Sequence, residues 1–223
     1  MDIQLSSHSP ELLAAQAGHT DAGHTDHVVR MAKIHRVTSE TDIALSLALD
    51  GTGQTRIASG IGFLDHMLTA LGRHALFDLE VVASGDLHID FHHTTEDIGI
   101  ALGQAFSRAI GDKRGIRRYG QALVPMDEAL VEAAIDISGR SFLVWNVTFP
   151  RDKVGKMDTE LFEEFFRGFA SNAGLSLHVT QKAGQNNHHI AEGCFKAVAR
   201  ALRMACEPDP RTAGVIPSTK GVL

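Results

Sequence analysis

The chain repeats itself. Placing Asp65-His66 over Glu163-Glu164 without a gap lays Leu71 on Phe169, Ala75 on Ala173, Leu79 on Leu177 and Val81 on Val179. The shift is 98 residues there and 96 at a second match, where His92-His93-Thr94-Thr95-Glu96 and His188-His189-Ile190-Ala191-Glu192 both read His-His-x-x-Glu. One loop therefore differs by two residues between the copies. Self-similarity at such a period means two like units, each too one-sided to bury its apolar face alone. The expectation is an α+β protein of duplicated α/β half-domains related by a pseudo-two-fold, with helices packed between two mixed β-sheets.

Local patterns agree with that plan. Ile43, Leu45, Leu47 and Leu49 alternate with small or polar residues, the period of a strand, and Gly51-Thr52-Gly53 turns the chain. A helix is expected over about 62–73, then a strand over Leu79–Ala83, a turn at Gly85-Asp86 and another short strand. A helix from about His93 follows, with Ile98, Ala101, Ala105 and Ile110 on one face and Gly111 at its end. In the second half, strands are expected over Ala133–Ile137, Phe142–Phe149 and Leu175–Thr180. Helices are expected over Thr159–Ser171 and His188–Ala205. Ordered structure is expected over 33–223, as repeats of about 33–124 and 125–223. The stretch 1–32 holds four of the thirteen histidines and a five-residue tandem at 17–26, and reads as a disordered His-rich tail.

Composition excludes several classes. A net charge of −6 argues against bulk nucleic-acid affinity. No apolar run approaches the ~20 residues of a membrane span. The first residues lack a basic stretch followed by an apolar one, so no secretory leader is expected. Cys194 and Cys206 read as buried reduced thiols of a cytoplasmic protein.

The duplicated motif carries metal chemistry, since imidazole nitrogen and carboxylate oxygen are ligands for a manganese-, iron- or zinc-like ion. Residues i and i+4 share a helix face, so His92 pairs with Glu96 and His188 with Glu192, while His93 and His189 lie about 100° further round. The preceding repeated helix offers His66 and Glu164. Two mirrored sets result: His92, Glu96, His189 and Glu164, and His188, Glu192, His93 and His66. They can close within one subunit or across an interface, and spacing leaves both open. Asp65 and Asp97 flank ligands and are candidates to accept imidazole N–H bonds.

A second constellation suits an anion. Gly111-Asp112-Lys113-Arg114-Gly115-Ile116-Arg117-Arg118 is a basic loop, Arg140 follows Ser138-Gly139, and Pro217-Ser218-Thr219-Lys220-Gly221 lies near the end. Lys196 stands on the stripe His188–Glu192–Lys196. Arginine forks and a Ser-Lys pair suit phosphate. Neither the dinucleotide fingerprint nor a Walker A loop is present, so a phosphorylated small molecule is expected.

The segments Leu64-Asp65-His66-Met67-Leu68, Gly85 to Asp97, Gly111 to Arg118, His188 to Arg203 and Pro217 to Gly221 together resemble imidazoleglycerol-phosphate dehydratase over about 33–223. The resemblance implies a lyase of histidine biosynthesis that dehydrates imidazole glycerol phosphate to imidazole acetol phosphate through a metal-stabilised imidazolate. It implies two Mn(2+) per active site and a homo-oligomer, a 24-mer with sites at subunit interfaces. The implied metal ligands are His66, His92, His93, Glu96, Glu164, His188, His189 and Glu192; position 164 is His in many relatives. Phosphate contacts map onto Arg118, Arg140, Lys196, Ser218 and Lys220, and His74 closes a substrate-contacting stretch. Glu40 maps onto an acid that transfers a proton, and Glu192 and His93 complete the implied catalytic set. A dinuclear hydrolase or a non-catalytic metal store would use the same ligands. The first would add water to its product, and the second would have no use for Arg118, Arg140 and Lys220.

Overall fold

The computed structural model describes residues 30–223, so the tail expected over 1–32 lies, up to residue 29, outside the described residues. The first half runs β1 (Met31–Val37), β2 (Thr41–Ala48), β3 (Thr55–Ala58), α1 (Gly62–Ala75), β4 (Asp78–Gly85) and α2 (His92–Ile110). The second runs β5 (Tyr119–Met126), β6 (Ala129–Asp136), β7 (Phe142–Asn146), a small hairpin of β8 (Lys153–Val154) and β9 (Met157–Asp158), α3 (Leu161–Ala173), β10 (Ser176–Ala183) and α4 (Asn187–Cys206).

Each half builds one four-stranded mixed sheet. The orders are β1-β2-β4-β3 and β5-β6-β10-β7, with the last pair parallel in both. Between the two sets of elements, α2 ends at Ile110 and β5 begins at Tyr119. The duplication fits these elements closely. Leu76 and Gly174 end α1 and α3 in the same left-handed conformation. The shift is 88 residues through the first three strands of each half, which put Met31–Ala48 and Tyr119–Asp136 at matching rungs. It becomes 98 after the β8–β9 hairpin, an insertion the sequence pattern did not reveal.

The alternating residues of β2 point Ile43, Leu45 and Leu47 inward, all buried. Helices fill the space between the sheets. α2 lies on β1 and β2 and faces α3; α4 lies on β5 and β6 and faces α1. The first helix of each half thus packs against the second helix of the other, and the two halves share one core of leucine, isoleucine and phenylalanine. Close approach of α2 and α3 requires glycine. A Cβ on Gly99 would stand 2.4 Å from the carbonyl oxygen of Phe165, and one on Gly103 2.5 Å from that of Phe169.

Three local expectations need correction. No strand follows Gly85-Asp86: residues 86–91 form a turn, closed by Ile89 N–H donating to the Asp86 carbonyl. The strand expected over Phe142–Phe149 ends at Asn146, where the chain leaves β10 for the inserted hairpin. Strands β1, β3 and β5, whose apolar residues alternate less strongly than those of β2, lie outside the expected set.

Candidate metal centre

Among the described residues, one group of three potential ligands converges: His66, His188 and Glu192, whose ligand atoms all lie within 4.8 Å of one another. Each comes from the expected place. His66 projects from α1 of the first half, and His188 and Glu192 stand one turn apart on α4 of the second. Glu192 Oε2 lies 3.1 Å from Nε2 of His188 and 3.4 Å from Nε2 of His66. Its other oxygen is held by Lys196 at 2.6 Å. The carboxyl group is nine-tenths buried. Burial opposes its ionisation, yet the Lys196 hydrogen bond and charge, with help from His66, hold it below the ordinary carboxylate range. Phe63 packs edge-on to both imidazoles, with ring centroids 6.2 and 5.1 Å away. Two nitrogens and an anionic oxygen at one point, with the second oxygen neutralised by its own cation, fit a divalent transition metal.

The mirror-related residues are less closed. His92 and Glu96 face one another on α2 at 3.6 Å. Glu164, on α3, is turned toward Arg167, whose Nε lies 3.6 Å from it. The second histidine of each pair points elsewhere again. His93 Nδ1 is bonded to Asp86 at 2.9 Å, and His189 Nδ1 to Glu128 at 2.7 Å. Both rings are raised above the ordinary histidine range, chiefly by those hydrogen bonds. Glu128, also accepting backbone N–H bonds from Asn186 and Gln185, is lowered to about 2. Neither His93 nor His189 joins the converging group.

Asp86 and Glu128 therefore take the place expected of Asp65 and Asp97. Asp65 instead accepts from the backbone N–H and hydroxyl of Ser59, fixing the entry to α1. Asp97 is buried between Arg36 and Thr41 and ties α2 to the first sheet. No sequence spacing marks Asp86 or Glu128, because each reaches its histidine from a turn that only the sheets bring close.

The anion-binding candidates split into two places. Arg118 is clamped by Asp136 through two bonds and donates to the carbonyl of Pro217, which draws the Ser218–Lys220 segment against the basic loop. The carbonyl of Arg118 accepts from Ile137, next to the Ser138–Arg140 turn. Arg118, Arg140, Ser218 and Lys220 are thus at one end of the second sheet. Lys196 sits at the other, beside Met126 and Glu192. β5 runs from Tyr119 to Met126 between them, and an extended strand of that length separates its ends by about 23 Å. His74 belongs with Lys196: burial first, then the positive charges of Lys196 and Arg200, push its pKa down. Glu40, in the β1–β2 turn, lies 3.8 Å from Nε2 of His93.

The chain is similar to known proteins over most of its length. The profile of the family described as imidazoleglycerol-phosphate dehydratase matches residues 59–202. The chain is 75% identical over 194 residues to the imidazoleglycerol-phosphate dehydratase of Gluconacetobacter diazotrophicus, covering 87% of this chain and 98% of that one. It is 69% identical to that of Granulibacter bethesdensis, covering 88% and 100%. Among solved structures, it resembles imidazoleglycerol-phosphate dehydratase from Staphylococcus aureus with a TM-score of 0.74 and 41% identity over 80% of this chain and 99% of that one. A second similar structure is that from Pyrococcus furiosus in complex with (S)-C348, with a TM-score of 0.73 and 36% identity over 85% and 100%.

Proposed function

The chain belongs to the imidazoleglycerol-phosphate dehydratase family of hydro-lyases, and from that premise we propose how its residues dehydrate imidazole glycerol phosphate in histidine biosynthesis. The observation that carries the reading is the convergence of His66 from one half with His188 and Glu192 from the other. It joins duplicated helices at a point suited to one divalent cation.

His66, His188 and Glu192 would hold one manganese, with His93 as the fourth donor. His92, Glu96, Glu164 and His189 would hold the other. When bound, the two ions supply Lewis acidity that stabilises negative charge on the substrate's imidazole ring. His93 and His189 stand outside the converging group, and the phosphate candidates lie at both ends of β5. These placements support a homo-oligomer, the 24-mer of the family resemblance, in which sites close between copies. Arg118, Arg140, Ser218 and Lys220 from one copy, with Lys196 and His74 from another, would clamp the phosphorylated tail. Such fixing contributes up to ~7–11 kcal/mol in ideal cases.

Glu40 then acts on the clamped substrate. The hydroxyl on the ring-bearing carbon leaves with its bonding pair. Glu40 takes the proton from the neighbouring carbon, and the resulting enol becomes the ketone of imidazole acetol phosphate. We place this unit at 33–223, in the cytoplasm; among the described residues no helix is long and apolar enough to cross a membrane. The acidic net charge supports a small-molecule substrate over nucleic acid.

The test is to incubate manganese-loaded protein with imidazole glycerol phosphate and follow the product by mass and by carbonyl absorbance. A ketone lighter than substrate by one water is expected. Release of inorganic phosphate, or recovery of unchanged substrate, would overturn the reading in favour of a hydrolase or a metal store.

A further inference from the structure

Glu40 and Glu128 are one position of a duplicated hairpin. The rungs of β1–β2 and β5–β6 superpose with a constant shift of 88 residues, which lays Glu40 on Glu128. The histidines they face, His93 and His189, are likewise matched: each is the second histidine of the His-His pair in the first turn of α2 or α4. Yet the two carboxylates do different things. Glu128 Oε2 accepts from His189 Nδ1 at 2.7 Å, while its Oε1 accepts from the backbone N–H groups of Gln185 and Asn186 at 3.1 and 2.7 Å. Both oxygens are committed. Glu40 makes no such bond to Nδ1 of His93 and stands instead 3.8 Å from Nε2. In that half Nδ1 is bonded at 2.9 Å to Asp86, in the turn after β4. The matching turn after β10 has Gly184 at that place, with φ of 135° and no side chain to offer.

We infer that the halves have divided the work. Asp86 and Glu128 are positioning residues that hold the proton of His93 and His189 on Nδ1. By taking that duty in the first half, Asp86 leaves its partner carboxylate, Glu40, unbound to the ring and available to substrate. A neutral imidazole has one N–H and one lone pair. Fixing the N–H on Nδ1 turns the Nε2 lone pair outward as the donor to a metal, and outer carboxylates of this kind raise metal affinity by 10–100-fold.

The inference rests on the reading of His93 and His189 as manganese ligands, and one experiment separates the two. Manganese is titrated into full-length, metal-stripped protein and free ion is read by electron paramagnetic resonance. In Glu128→Gln the amide oxygen must stay with the two backbone donors, so its NH2 faces Nδ1 and forces the ring proton onto Nε2. Asp86→Asn differs, because Oδ1 of Asp86 has no partner among the described residues. The NH2 can occupy that side and the oxygen still accept from His93. The expected result is a 10–100-fold affinity loss in Glu128→Gln and in Asp86→Ala. Asp86→Asn is expected within about threefold of the unaltered protein, and melting of stripped Glu128→Gln is expected unchanged. Unaltered affinity in both Glu128→Gln and Asp86→Ala overturns the inference while leaving the ligands standing. If His189→Ala also binds manganese like the unaltered protein, the ligand reading itself falls.

Discussion

Glu40 Oε1 lies 3.8 Å from Nε2 of His93, on the side of the ring away from its bond to Asp86. That separation is too long for a hydrogen bond, so the carboxylate is near the ring without being tied to it. If Glu40 removes the proton, Glu40→Gln will bind substrate within a few-fold of normal and lose about 10²–10⁴ in kcat. Steady-state kinetics paired with equilibrium substrate binding measures both. Unchanged turnover removes Glu40 from the chemistry.

Glu164 occupies the place of His66 in the second copy of the first helix, but is turned to Arg167. As a ligand it must leave that partner. Glu164→Ala is expected to weaken manganese binding about tenfold or more, Arg167→Ala to leave it intact, and Glu164→His to restore it. Equal affinity in Glu164→Ala and the unaltered protein would make Glu164 a surface acid.

Asp97 accepts from Arg36 at 2.9 and 2.7 Å and from the Thr41 hydroxyl at 2.6 Å, at the seam between α2 and the first sheet. Asp97→Ala strands both donors in a mostly buried place and is expected to cost about 1–3 kcal/mol. Urea unfolding with unchanged m-value reads this as a stability effect. A midpoint equal to that of the unaltered protein would contradict it.

Asp78 accepts from the backbone N–H groups of Gln54 and Thr52 at 2.8 and 2.9 Å, bracing the turn after β2. The Gln54 bond, with smaller help from Thr52 and Gly53 and against some burial, holds its carboxyl below the ordinary 3.8. A carboxyl with a folded pKa below its unfolded one stabilises fully above the unfolded value. That contribution fades as pH falls through the folded one. The stability gap between the unaltered protein and Asp78→Ala should therefore be constant near neutrality and shrink below about pH 4. Urea midpoints across pH 3–7 are the measurement, and a gap that widens toward acid would refute the assignment.

How far the residues could be read in advance depended on whether their partners were local. The helix faces of His92–Glu96 and His188–Glu192 follow from i, i+4 spacing, and both pairs face each other as that spacing requires. His66 was reachable because the repeat aligned it with Glu164. Asp86 and Glu128 were not, since each lies in a turn with nothing periodic around it. Asp65 and Asp97 adjoin ligands in sequence, but adjacent residues on a helix point about 100° apart, and both turn to partners outside their helices.

Periodicity and self-similarity, which are properties of the chain by itself, determined the duplicated α/β plan, the pairing of ligand types and the absence of a long apolar span. Which ligands converge was decided only when α1 packed against α4 and α2 against α3, because that crossing joins His66 to a pair far along the chain. The same packing set Lys196 and Arg118 at opposite ends of β5 and committed Glu128, but not Glu40, to a ring nitrogen. Distance along a sequence carries no information about such contacts; the shared core that closes the two halves does.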